Sequence, residues 1–200
     1  MANTTTPLAS TEEYTLGSGD IFILEYTDAI KDSITPTYVC ENGARVGEVK
    51  SGASLEYKVE IKEESADLGR TKITVLSKED VTLKSGLMTW SGTSVEKLCS
   101  TARITTEGVG ANKKRITKIG GLANNNKKKY AVGFEYKGEG KTGLRVCIVG
   151  KNAAGFTISF DPDNATVIDA EFKAQAIDDD GTLVIIEEST PEAVNPDEGG

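Results

Sequence analysis

From Leu55 to Lys62 the chain alternates without a break. Leu55, Tyr57, Val59 and Ile61 are apolar, and Glu56, Lys58, Glu60 and Lys62 are charged. Successive side chains of an extended strand point to opposite faces, so this period of two predicts a strand with one apolar and one wet face. The parity returns further on, with Ile73, Val75, Val81 and Leu83 on one face and Lys72, Thr74, Thr82 and Lys84 on the other. Together the two segments predict a long β-hairpin. Its connection, Glu63 to Arg70, is longer than the two to five residues that hairpins usually need. Extra length at such a place points to a task outside the domain's own core.

Similar segments fill most of the remaining sequence. Asp20 to Tyr26 holds the apolar run Ile21, Phe22, Ile23 and Leu24, which predicts a strand buried on both faces. Arg103 to Thr106 and Arg115 to Ile119 are shorter candidates. Tyr130, Val132, Phe134 and Tyr136 alternate with Lys129, Ala131, Gly133 and Glu135. Leu144, Val146 and Ile148, then Phe156, Ile158 and Phe160, continue the pattern, as do Ile168, Ala170, Phe172, Ala174 and Ala176. Between the last of these the charged row is Asp169, Glu171 and Lys173. Leu183 to Ile186 ends the series. Gly, Asn and Asp clusters separate the segments, and short strands with regular turns predict a β-sandwich or barrel. One helix is expected, opened by Thr93 and Glu96 at capping-box spacing, with Val95, Leu98, Cys99 and Ala102 on one face. The expected organisation is a flexible arm over residues 1–16, one β domain over 17–188 and an acidic arm over 189–200.

Two hundred residues suffice for one domain that needs no disulfide or metal to fold. The formal charge is −8, from 23 basic and 31 acidic residues, which disfavours a dedicated nucleic-acid binder. Cys40, Cys99 and Cys147 are odd in number and form no C-x-x-C pair, the pattern of reduced thiols made in a cytosol. Met1 to Ser10 lacks the basic start and apolar stretch of a signal peptide, and no apolar run approaches the ~20 residues of a membrane-spanning helix.

Sites of chemistry are hard to build from this chain. It contains no histidine, which removes Ser-His-Asp and Cys-His nucleophiles and histidine metal ligands. Gly138, Gly140 and Gly143 spell G-x-G-x-x-G, and Gly140-Lys141-Thr142 resembles part of a phosphate loop. Such a loop must open a helix, whereas Leu144 to Val149 reads as a strand, so a hairpin turn is the better reading. Asp178-Asp179-Asp180-Gly181 lacks the spacing of an EF-hand and reads as a tight turn, as does Asp161 to Asn164. A glycosidase needs only two carboxylates. Here, however, the acids alternate with core positions, as on solvated strand faces. The clusters Lys113-Lys114-Arg115 and Lys127-Lys128-Lys129 read as solvated loop tips, or as partners of acidic surfaces on neighbouring copies. Trp90 reads as a core or covering residue. The chain is therefore expected to be neither an enzyme nor a holder of cofactors or metals.

Several blocks, in order, carry a likeness. They are Gly17-Ser-Gly-Asp-Ile-Phe-Ile-Leu-Glu-Tyr, Gly52-Ala-Ser-Leu-Glu-Tyr-Lys, Val81-Thr-Leu-Lys-Ser-Gly-Leu-Met-Thr-Trp and the segment around Leu98-Cys99. Val149-Gly-Lys-Asn-Ala-Ala-Gly-Phe-Thr, Val167-Ile-Asp-Ala-Glu-Phe-Lys-Ala and Asp180-Gly-Thr-Leu follow. This series resembles the major tail tube proteins of long-tailed bacteriophages and prophages of Gram-positive hosts, over roughly Leu16 to Glu188. The resemblance implies a mainly β, sandwich- or barrel-like tail tube fold with one short flanking helix and a long hairpin. It implies hexameric rings that stack into a tube, and transient passage of DNA without specific binding. Tail-tip initiator and tape measure proteins would be partners, with assembly in a bacterial cytoplasm and residence in the virion tail.

On this resemblance the loop with Glu63, Glu64, Asp67, Leu68 and Arg70 would meet the next ring. The charged rows Glu56, Lys58, Glu60 and Lys62, and Asp169, Glu171 and Lys173, are candidates for the lumen wall. The tube of a contractile tail or phage-like bacteriocin, or a monomeric β-sandwich binding module, are the alternatives. A binding module should expose aromatics on one face. Here Tyr and Phe fall mostly on core-facing positions.

Overall fold

A computed structural model describes residues 19–65, 72–87, 92–137, 143–153, 155–156 and 168–188. The strands are β1 (Gly19–Tyr26), β2 (Ala44–Ser65), β3 (Lys72–Leu87), β4 (Arg103–Glu107), β5 (Lys114–Lys118), β6 (Lys129–Lys137), β7 (Gly143–Asn152), β8 (Ile168–Gln175) and β9 (Ile185–Glu188). Two helices, α1 (Pro36–Asn42) and α2 (Gly92–Leu98), join them, and a 3₁₀ turn spans Asp28–Ser33. The fold is mainly β.

Every pairing is antiparallel, and the ladder closes on itself. The order β6-β1-β2-β3-β8-β7 returns to β6 through a further β6–β7 pairing. One edge of β7 is shared: β9 runs along Leu144–Cys147, and β8 takes over at Val149–Asn152. Closure removes the open edges that a flat sheet would leave. Strands β4 and β5 pair only with each other, in a separate two-stranded sheet.

Alternation then decides what fills the barrel. Ile21, Ile23, Val81, Leu83, Val132, Ile148, Ile168 and Phe172 point inward and are buried, and Leu98 of α2 packs against them. The opposite faces of β6 and β7 are not left wet. Ala131, Cys147 and Val149 are buried beneath Val39 of α1, with Ile34 and Ile177. Gly133 lets the helix approach: a Cβ there would stand 2.9 Å from Val39 Cγ1 and 3.2 Å from Cys40 Sγ.

Helix α1 was not expected from the sequence, although its start carries a recognisable signal. Thr35 Oγ1 accepts a hydrogen bond from the Tyr38 amide at 3.1 Å, and Pro36 occupies the first turn. Helix α2 is short, about two turns as expected, but is set earlier in the chain than the apolar spacing suggested. It ends at Leu98, so Cys99 and Ala102 follow it, and Thr93 falls inside its first turn. Trp90, the two arms, the strand end at 157–160 and the turn at 161–164 lie outside the described residues.

A polar network fastens α1 to the barrel. Arg145 donates from Nε and Nη2 to Glu135 Oε1 at 2.9 and 2.8 Å, and from Nη1 to Thr37 Oγ1 at 2.9 Å. Thr37 donates its amide and hydroxyl to Glu187 Oε2 at 2.8 and 2.7 Å. Four elements (β6, β7, α1 and β9) are thus linked through the Arg145 guanidinium and Thr37. The Glu135 side chain is only 9% exposed, so its charge depends on this partner. Arg145→Ala is expected to destabilise the fold by about 2–3 kcal/mol, because it leaves a buried carboxylate without its guanidinium. Urea denaturation checks this, and an unchanged midpoint would show that the network contributes nothing.

Candidate assembly surface on the long hairpin

Strands β2 and β3 outrun the barrel. β1 covers β2 only along Ala44–Glu48, and β8 covers β3 only along Thr82–Leu87. The two strands stay paired with each other out to Ser65 and Lys72. Beyond Thr82 the hairpin therefore projects about 30 Å at the usual ~3.3 Å per residue. Both of its outer edges lack a strand partner among the described residues. Glu63 and Glu64, expected in a loop, are in the ladder opposite Thr74 and Ile73, and Glu63 is ion-paired with Lys72. The connection shrinks to 66–71, so Asp67, Leu68 and Arg70 lie outside the described residues.

The apolar row of this hairpin begins in the core and ends in the open. Leu83 and Val81 are buried at 2% and 1% exposure, opposite Leu55 and Tyr57. Further out, Tyr57, Val59 and Ile61 are 57%, 43% and 58% exposed. The sequence directed this row at a core, but the protein has no core there to receive it. Tyr57 remains tied to its own sheet by donating its hydroxyl to Glu79 Oε1 at 2.5 Å.

A β-bulge changes which residues share a face. Glu60 pairs with Lys78 but Ile61 pairs with Leu76, so Ser77 is an extra residue in β3. Its hydroxyl donates to the Glu60 carbonyl at 2.9 Å. One inserted residue reverses the parity of everything beyond it. Leu76 therefore joins Ile61 on the apolar face, while Val75 and Ile73 move to the charged face beside Lys62 and Glu64. The outer end of the hairpin therefore carries apolar side chains among charged ones on both faces. Ile73 and Val75 do not share a face with Val81 and Leu83, as simple alternation had suggested.

The charged rows do come together. Thr82 pairs with both Glu56 and Lys173, and Lys84 pairs with Ser54 and Glu171, so β2, β3 and β8 present one continuous polar face. Glu56, Lys58, Glu60, Lys62, Asp169, Glu171 and Lys173 all lie on it. Lys58 and Lys84 approach Glu56 at 2.7 and 3.2 Å, and Lys84 reaches Glu171 at 3.9 Å. Lys173 and Lys78 flank Asp80 at 2.9 and 2.5 Å, and Lys78 also approaches Glu60 at 3.4 Å. Cations thus sit between anions. Hydrogen bonds from Lys58 and then Lys84 hold the Glu56 carboxyl below its usual range, and those from Lys78 and Lys173 do the same for Asp80.

Of the other motifs, residues 138–142 lie outside the described residues. Gly143 opens strand β7 rather than a helix. Asp178 Oδ1 accepts from the Thr182 amide at 2.9 Å, and Gly181 adopts a φ of 84°, so this acidic run closes a turn. The Cys147 thiol is pushed up to about 12 by burial and is no nucleophile at neutral pH. No group of metal-ligating side chains occurs among the described residues, and none of their helices is long and apolar enough to cross a membrane.

The ionic face has a pH signature. A carboxyl whose folded pKa is depressed stabilises the fold above its unfolded pKa, and that contribution is lost as pH falls through the folded value. Carbon-13 NMR titration should place the Glu56 and Asp80 midpoints below the ordinary carboxylate values near 4, and Lys84→Ala should raise the Glu56 midpoint. Ordinary midpoints in the parent protein would mean that the lysines do not hold these positions in solution. No protein-family model and no curated protein matches the chain.

Proposed function

We propose that the chain is a structural subunit that polymerises through its long hairpin, forming the hexameric rings and stacked tube of a long phage tail. The observation that carries this reading is the projecting β2–β3 hairpin, with two open edges and an apolar row continuous with the core. Open edges are a liability that a monomer would blunt. A ring satisfies them by pairing each edge with the next copy, and a heterologous contact that closes on itself ends the polymer laterally. Val59 and Ile61 are already about half buried, so burying the rest of each would contribute roughly 1 kcal/mol.

Orientation follows from the two faces. The apolar face turns to protein, and the face bearing Glu56, Lys58, Glu171 and Lys173 turns to the lumen. Its charges compensate one another within the subunit. A lysine already held by carboxylates gains little from a phosphate, so DNA in transit releases few counterions and does not stick. This is a wall that is balanced rather than acidic.

The test uses Val59→Ser with Ile61→Ser. Both side chains are exposed in the free subunit, so monomer stability should stay within about 0.5 kcal/mol. Negative-stain microscopy should show rings or tubes for the parent chain and none for the variant. Tubes from the variant would sink the role of the hairpin. A parent chain that stays monomeric even when seeded with tail-tip assemblies would sink the tube.

A further inference from the structure

Charge is segregated along this chain. Residues 103–129 hold eight Lys or Arg and one acid, Glu107, a net of +7, which leaves −15 on the remainder of a chain whose total is −8. The basic segment is also structurally distinct, because β4 and β5 form their own sheet. Lys113, Arg115, Lys118, Lys127 and Lys129 are exposed and make no ion pair among the described residues. Two apolar side chains stand out from the same lobe, Val109 at 87% and Leu122 at 93% exposure.

A surface acidic patch lies across the same end of the barrel. Asp28 and Asp32 of the 3₁₀ turn are joined to the Asp178–Asp180 turn by Lys31, which approaches Asp179 at 2.6 Å. Five carboxylates thus lie on two turns that one ion pair joins. Both features belong to the end where β1 leaves the barrel: Tyr26 pairs with Lys129, and its hydroxyl donates to the Ile177 carbonyl at 3.2 Å.

We infer that the β4–β5 lobe docks on the acidic patch of a neighbouring copy, as a lateral contact at one level of a ring. This rests on the reading that copies of the chain assemble, but uses different residues from the hairpin. Opposite charges steer and orient such an encounter, and Val109 and Leu122 supply the apolar centre that a basic surface alone lacks. Nucleic acid fits less well. The lobe contains no aromatic side chain on which a base could stack, and the −15 on the rest of the chain repels a polyanion.

Sedimentation velocity of the full chain at about 30 and about 500 mM salt reads the contact. Self-association should weaken at least about tenfold at the higher salt. Lys113→Glu with Arg115→Glu should weaken it similarly at low salt, as should Asp28→Lys with Asp32→Lys, and mixing the two variants should restore it. Circular dichroism checks that each variant is folded, and the salt dependence of the parent stands if one is not. A parent that is monomeric at both salts, or association indifferent to salt and to both reversals, overturns the inference. So does a lobe variant that loses only binding to a duplex oligonucleotide. Charge reversals without effect beside a hairpin variant that abolishes tubes would remove this contact and leave the tube standing.

Discussion

Closure of the backbone ladder is the constraint from which the other features follow. Because β6, β1, β2, β3, β8 and β7 pair around a full circuit, the described part of the barrel leaves little open edge beyond that of the short β9, which pairs on one side only. It is filled by the inward rows around Phe172 and covered by α1, which Gly133 admits and Arg145 fastens. The described core clusters and the ladder closure do not use the outer end of the hairpin. The hairpin that leaves the barrel is therefore not a remnant of folding. It is about 30 Å of paired strand whose apolar face adds nothing to the subunit that carries it.

That separation explains how far the sequence could be read. Period-two alternation located most strands correctly, because alternation is a property of the strand itself. It could not say what each face would meet. Leu55 to Ile61 has the same pattern as a half-buried strand, and only the exposure of Tyr57, Val59 and Ile61 in the folded chain shows that its apolar face is open. The charged rows of β2 and β8 were visible separately. Their union into one face depends on the register Thr82 to Lys173, which no local pattern encodes.

Two differences have local causes. The bulge at Ser77 inserts a residue without altering composition, so Ile73 and Val75 look in sequence like a continuation of Val81 and Leu83 while facing the other way. Helix α1 spans only Pro36–Asn42, too short for apolar periodicity to declare itself, and its Thr35-Pro36 start was the available signal. The resemblance to tail tube proteins required neither feature. It rested on blocks such as Gly52 to Lys58 and Val167 to Ala174, several of which fall in β2, β3 and β8.

Charge is used in two opposite ways on this molecule, and the difference is instructive. On the β2–β3–β8 face Lys58, Lys78, Lys84 and Lys173 are each held within reach of carboxylates of their own subunit, which reduces the net field outward. Over the basic segment 103–129, which includes the β4–β5 sheet, five cations have no such partner among the described residues. Satisfying charge inside one subunit makes a surface that need not hold anything; leaving it unsatisfied makes a surface that waits for another molecule. The proposed tube subunit would use both, an indifferent wall for what passes and adhesive flanks for its neighbours. The apolar hairpin and the basic lobe differ in kind as well as position. Contacts of the first kind persist in high salt while those of the second weaken, so ionic strength separates their shares in holding copies together.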